Sequence, residues 1–289
     1  MLAIKNFIES IQSFLSQLIG SFTSIPKIIL LSKITKPYPN LNHQNAAILG
    51  NGPSLNDSLK NELEFLKNIE LYCVNNFASY PIFEELRPQN YVLLDPAFYQ
   101  YSPKNNGHKI VENTIHSFEK TVWPMNVFLP TSAKKSYLVE QLKANTFINI
   151  YYFNYTIIKG FKSWNHILYN LNLGMPQCQN ILAAALFVGI QRKHTHIYLF
   201  GGDHSWHEEL RLENNELTSK ETHFYQTDSK VDKISDKPAS VNKMYKIFQS
   251  LSKAFFSYEA LADYAKSNRV KIYNASTKSY IDTFEKIRL

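Results

Sequence analysis

Residues 46–55 read Ala-Ala-Ile-Leu-Gly-Asn-Gly-Pro-Ser-Leu, an apolar run that ends in a turn with a glycine on either side of Asn51. A short apolar run that breaks at glycine and leads into a helical pattern is the signature of a buried strand entering a helix. Gly50 and Gly52 remove side chains where the backbone is crowded. Either the turn itself is tight, or backbone N–H groups come close to an anion or a ribose. Pro53 and Ser54 suit the first turn of the helix that follows. No Gly-Lys-Ser/Thr follows, so the turn is not a P-loop, and Leu55 stands where a dinucleotide fingerprint carries its third glycine.

Working outward, β-rich runs alternate with helical patterns. Ala46–Leu49, Glu70–Val74, Tyr91–Leu94, Asn126–Leu129, Phe147–Tyr152, His196–Phe200 and Val270–Tyr273 are predicted strands. Leu59–Leu66, Ser132–Leu142, Ile181–Val188 and Val241–Ser267 are predicted helices. Such alternation predicts an α/β fold, a mostly parallel sheet with helices on both faces. The polar stretch Pro37–Asn45 reads as a linker. It divides an N-terminal helical extension, residues 1–44, from an α/β domain, residues 45–289.

The extension repeats Ile4, Phe7, Ile8, Ile11, Phe14, Leu15 and Leu18 at helical spacing, with Lys5, Glu9, Ser10 and Gln12 between them. It reads as an amphipathic helix, too interrupted by polar residues to span a bilayer. Packing on the domain, homo-oligomer formation and peripheral membrane contact all suit it. With 289 residues, 44% of them hydrophobic, the chain can bury a sizeable core, and its formal charge of +7 favours anionic company. The lysines are scattered and no recognition helix stands out, which argues against nucleic acid. Cys73 and Cys178 lie far apart in apolar contexts and read as reduced thiols of a cytoplasmic protein.

Polar residues collect just past the strands. Asn75 and Asn76 follow one, Asp95 follows another, and Gly201-Gly202-Asp203-His204 follows a third. In an open α/β sheet the carboxyl ends of the strands are where ligands bind, and carboxamides supply the donors and acceptors that a base or a sugar needs. The runs ILGNGPSL, CVNNF, LLDP and IYLFGGDHSW together resemble the bacterial sialyltransferases of glycosyltransferase family 42. They are similar also to the wider group that shares that nucleotide fold, including 6-hydroxymethylpterin pyrophosphokinase-like proteins of surface-polysaccharide clusters. The resemblance covers roughly residues 46–285.

The resemblance implies a Rossmann-like, GT-A-like nucleotide-binding fold. It also implies inverting, metal-independent transfer from a CMP-sugar, the donor substrate in place of any cofactor, to a glycan or glycolipid acceptor. By position it places Gly50, Asn51, Gly52, Ser54, Asn75, Asn76, Asp95, Asn180 and Gly202 at the nucleotide. Tyr225 falls near the phosphate, and His223 is the first choice for the base. His204 and Asp203 form the alternative catalytic pair. Asp95 replaces the family's asparagine, so the donor sugar is expected to differ from ordinary sialic acid, with other nonulosonic acids and Kdo in view. The polar segment 207–238 is expected to be a lid loop that excludes competing water. No Asp-x-Asp occurs and no His/Cys cluster has zinc spacing. Two alternatives stand beside this: an ATP- and Mg²⁺-dependent pyrophosphokinase-like phosphotransferase, and a non-catalytic polysaccharide-assembly protein. A cytoplasmic location, peripheral on the inner membrane, completes the expectation.

Overall fold

The computed structural model describes residues 2–104, 109–221, 230–233 and 242–289. In chain order the strands are β1 (Asn45–Leu49), β2 (Glu70–Val74), β3 (Asn90–Val92), β4 (Met125–Pro130), β5 (Ile148–Phe153) and β6 (His196–Phe200). Then come β7 (Leu210–Glu213), β8 (Glu216–Glu221), β9 (Lys230–Lys233), β10 (Lys271–Asn274) and β11 (Glu285–Lys286). Eight of them form one sheet in the order β11-β10-β6-β1-β2-β3-β4-β5, parallel at every pairing. From β1 the chain builds outward through β2 to β5, then crosses to the other side of β1 for β6 and its neighbours. That reversal makes the space beyond β1 and β6 the switch point of the sheet.

Both faces of the sheet are buried, which is why its strands read as apolar runs. Ala46, Ile48, Tyr72 and Val74 point into one core and Ala47, Leu49, Leu71 and Cys73 into the other, as the two-residue period of a strand requires. The helix Ile181–Gln191 is buried all round from Leu182 to Ile190 because it lies between the sheet and the long helix Met244–Ser267. Full enclosure removes any reason for a polar stripe.

At the amino ends of the strands sits a buried ion pair. Arg192 donates to Glu70 Oε1 at 2.5 Å, with both side chains fully enclosed. Asn90 donates to the same oxygen at 2.7 Å, and the backbone N–H groups of Asn42 and His43 donate to Oε2. Arg192 also donates to the carbonyl of Asn40 at 2.8 Å. The stretch expected as a plain linker is thus fastened under the sheet. Burial pushes the Glu70 carboxyl up, but Arg192, Asn90 and the His43 N–H together hold it below the usual range.

Two expectations need correction. The N-terminal segment forms a single helix, Leu2–Leu31, running through Pro26. Its stretch Ile4–Leu31 is long and apolar enough, by length and composition alone, to cross a membrane, so its polar residues do not interrupt it as far as expected. Segment 207–238 is more than a loop: β7, β8 and β9 make a three-stranded antiparallel sheet. Asn214 and Asn215, both at positive φ, form the two-residue turn between β7 and β8. Asparagine tolerates that conformation, and its twist matches the paired strands.

Replacing Arg192 by leucine should strand the Glu70 charge and cost about 3–5 kcal/mol of stability. Urea unfolding at neutral pH measures this, and a loss below about 1 kcal/mol would show that the pair is not structural. Because Glu70 is held below its ordinary range, its contribution is present above the ordinary carboxylate range and fades as pH falls.

Candidate functional site

The crowding around Gly50 and Gly52 comes from within the chain. Gly50 N–H donates to the carbonyl of Phe200 at 2.8 Å and Gly52 N–H to that of Gly201 at 3.0 Å. A Cβ on Gly50 would lie 2.5 Å from the Gly201 carbonyl oxygen, and one on Gly52 would lie 2.3 Å from Asp203 Oδ1. Gly201 itself sits at φ +61°, with space for no side chain against Gly50. Asp203 completes the clasp. Its Oδ2 accepts from Ser54 N–H at 3.0 Å and its Oδ1 from the Ser54 hydroxyl at 2.5 Å. Burial raises the Asp203 carboxyl, and the Ser54 bonds and Lys278 oppose that rise.

Several of the expected site residues thus have partners within the chain. Asp203 holds the glycine turn in place, and the Ser54 hydroxyl is engaged by it. Gly50 is closed in by Gly201. Gly202 faces the C-terminal segment: its N–H donates to Ser276 Oγ and its carbonyl accepts from Ser279 Oγ. Asn76 lies in the short 3₁₀ turn Asn75–Ser79, off the cleft wall, with its Oδ1 buried and unpartnered.

Beside the clasp opens a cleft of about 940 Å³, at the carboxyl ends of β1, β2, β3 and β6. It gathers Asn51, Gly52, Asn75, Asp95, Asn180, Asp203 and His204 from five separate stretches of sequence. Asn51 Nδ2 donates weakly to the carbonyl of Val74 at 3.4 Å, which leaves Oδ1 buried without a donor. Asn75, held at φ +48°, likewise has an unpartnered buried Oδ1. Asn180 caps the helix Ile181–Gln191 by accepting from Ala183 N–H at 3.0 Å, and its Nδ2 has no acceptor. Asn51 Oδ1, Asn75 Oδ1 and Asn180 Nδ2 are thus unpaired polar atoms on three residues that line one cleft, while Asn76 Oδ1 is another off its wall.

His204 closes one side of the cleft. The cap orients Asn180 so that Oδ1 also accepts from the Tyr258 hydroxyl at 3.1 Å. With its one proton committed there, Tyr258 can only accept from His204, whose Nε2 lies 2.5 Å away. Nδ1 therefore carries the lone pair. Burial among Trp206, Phe255 and Tyr258 lowers the imidazole to about 3, so the ring is neutral at working pH.

The charge around the cleft is mostly negative. Asp95, Asp203, Glu208 and Glu209 line it, and Lys278 is the only lysine or arginine among the described residues of its wall. Asp95 accepts from Ala97 N–H at 2.9 Å as the cap of a short helix. Lys278 pairs with Glu208 at 2.5 Å, which raises the lysine and lowers the carboxyl. Among the described residues, no three His, Cys, Asp or Glu side chains are grouped to hold a metal ion.

His223 and Tyr225 lie outside the described residues. Lys278 escaped the sequence reading although it follows β10 as the other polar residues follow their strands; the same strand-end rule reaches it. Tyr258 sits inside a long helix, where nothing in its spacing separates it from a core residue.

No family model matches the chain, and no curated protein matches it. Among solved structures it is similar to the MAf glycosyltransferase from Magnetospirillum magneticum AMB-1, at 11% identity and a TM-score of 0.48. That similarity takes in 95% of this chain but 38% of the other, so the chain spans well under half the length of that protein.

The Asn180–Tyr258–His204 chain predicts a fixed tautomer. In ¹⁵N-histidine NMR, His204 should show a protonated Nε2 and a bare Nδ1 from about pH 8 to about pH 5, without titrating near the usual value of about 6.5. Tyr258→Phe should mix the tautomers. A His204 that gains its second proton by about pH 5 would refute the arrangement.

Proposed function

We propose that the protein is an inverting glycosyltransferase. It takes a CMP-activated sugar, a sialic-acid-like or other nonulosonic acid or Kdo, and extends a bacterial surface polysaccharide or lipopolysaccharide. The observation that supports this best is the set of open carboxamide atoms beside the glycine clasp. Cytosine offers an amino donor next to ring acceptors, and ribose offers hydroxyls. Such groups would satisfy Asn51 Oδ1, Asn75 Oδ1 and Asn180 Nδ2 together.

The chemistry asks for little more. An acceptor hydroxyl attacks the anomeric carbon, the bond from that carbon to the phosphate oxygen breaks, and CMP leaves with the electron pair. A base removes the hydroxyl proton. The resemblance assigns that base to His223; His204 is the alternative, and it is a weak base as it stands because burial lowers its imidazole to about 3. Lys278, on the cleft wall, would meet the departing phosphate once it is released from Glu208. Asp95 already acts as a helix cap at the wall, and a carboxylate there disfavours a second one close by. A donor whose carboxyl is held elsewhere suits the cleft better.

A second reading draws on one observation, the four carboxylates of the wall. A pyrophosphokinase-like transfer from ATP uses carboxylates to hold Mg²⁺. Asp95 and Asp203 would then have to exchange their present bonds to Ala97 and Ser54 for the ion.

Calorimetric titration with CMP, UMP and ATP, each with and without Mg²⁺, separates these. CMP should bind without metal and at least about tenfold more tightly than UMP or ATP, and Asn51→Ala should weaken CMP by roughly tenfold. ATP binding that depends on Mg²⁺ would favour the kinase-like reading. Binding of no nucleotide would leave a non-catalytic assembly protein.

A further inference from the structure

The helix Leu2–Leu31 has one side held and the other bare. Gly20 backs onto Gly160 so closely that a Cβ on Gly20 would lie 3.1 Å from Gly160 N. Ser21 Oγ accepts from Phe161 N–H at 3.2 Å. Ser24 Oγ donates to the Lys159 carbonyl and accepts from the Lys159 N–H, both at 2.9 Å. Ser32 Oγ donates to the Leu173 carbonyl at 2.5 Å. Small residues and hydroxyls thus fasten this side to the segment 156–173. On the bare side Phe7 is 66% exposed, Phe22 65% and Ile29 73%, with Ile4, Ile11 and Ile25 exposed beside them.

A second apolar stripe adjoins it. The helix Lys162–Asn170 and the residue that follows it expose Trp164, Ile167 and Leu171, three and four positions apart and so on one face. Phe161, the cap of that helix, lies 5.5 Å ring to ring from Phe14 of the first. Charge is concentrated in the same places. Residues 1–36 hold Lys5, Lys27, Lys33 and Lys36 against Glu9 alone, while residues 154–173 hold Lys159 and Lys162 and no acid. Six lysines and one glutamate thus account for five of the chain's formal charge of +7. Of these, Lys162 is paired with Asp263 and Lys5 with Glu9.

Two occupants could cover such a face, a second copy of the chain or a bilayer. A paired helix needs a narrow seam with charged flanks. Here Ile4, Ile8, Ile11, Leu15, Leu18, Phe22, Ile25 and Ile29 would make the seam, but Phe7, Phe14, Ile19, Leu30 and Leu31 are exposed outside it. An apolar arc of that width, beside segments whose lysines outnumber their acids six to one, matches hydrocarbon beneath anionic head groups. Spanning does not fit. From Gly20 to Ser32 the helix is bonded to the backbone of a water-exposed domain.

We propose that the helices Leu2–Leu31 and Lys162–Asn170 form one monotopic platform that lies in the plane of an anionic membrane surface. Phe7, Phe22, Ile29, Trp164, Ile167 and Leu171 enter the interface, and the lysines around them meet the head groups. The inference rests on exposure, packing and charge, and is independent of the chemistry in the cleft.

The test uses the full chain with vesicles of phosphatidylethanolamine and phosphatidylglycerol. The chain should sediment with them, more strongly as the phosphatidylglycerol fraction rises, and salt should weaken the binding only in part because the apolar contribution is unscreened. Brominated lipid should quench its tryptophan fluorescence, and Trp164→Phe should remove that quenching. The double variant Ile167→Glu/Leu171→Glu, at exposed positions, should bind vesicles at least about tenfold more weakly while keeping its thermal unfolding midpoint. Absence of vesicle binding at every composition overturns the proposal, as does quenching that is unchanged in Trp164→Phe. So does a dimer in solution that Phe7→Glu/Phe22→Glu splits while vesicles are ignored, which would make the face an interface between copies.

Discussion

The clasp between the turn after β1 and the turn after β6 is the constraint on which the cleft depends. Three glycines and one aspartate bring two loops into backbone contact, with Gly201 against Gly50 and Asp203 bonded twice to Ser54. These strands are neighbours on either side of the point where strand order reverses, and their loops diverge there unless something ties them. With the tie in place, Asn51 is held at the mouth of the switch point and His204 faces it from the other loop. A side chain at Gly50 or Gly52 would force the loops apart before it met any ligand.

The opposite end of the sheet is fastened by different means. Glu70 and Arg192 form a fully buried pair that also gathers Asn90 and the backbone of residues 39–43. Such a pair adds little net stability over an apolar substitute, but it penalises any register that leaves one charge alone. Between the two fastenings the helix Ile181–Gln191 fills the core. Its cap, Asn180, reaches the cleft with an open Nδ2 and positions His204 through Tyr258. Packing and site geometry therefore meet in one residue.

Much of this architecture was legible in the sequence, for physical reasons. Strands buried on both faces read as continuous apolar runs, so Glu70–Val74 and His196–Phe200 were bounded as they occur. The polar residues past each strand pointed to one rim of the sheet, and Asn51, Asn75, Asp95 and Asn180 line a cleft there. What sequence could not tell was which of them bond within the chain. Gly50 and Ser54 read as nucleotide contacts, and Asp203 as half of a catalytic pair, because an internal clasp and a nucleotide site both ask for small residues and a carboxylate. The helix Lys162–Asn170 was missed because its exposed apolar face, Trp164 and Ile167, breaks the pattern of a surface helix. The hairpin at Asn214-Asn215 was missed because its strands are short and charged.

The central claim is that the open carboxamides of the cleft read a cytidine nucleotide. The most direct measurement is a titration of CMP into ¹⁵N-labelled protein, following the side-chain amides of Asn51, Asn75 and Asn180. All three should shift together and saturate at one concentration, while Asn90, enclosed at the far end of the sheet, stays still. Shifts that saturate elsewhere on the protein, or leave these three unmoved while CMP binds, would contradict it.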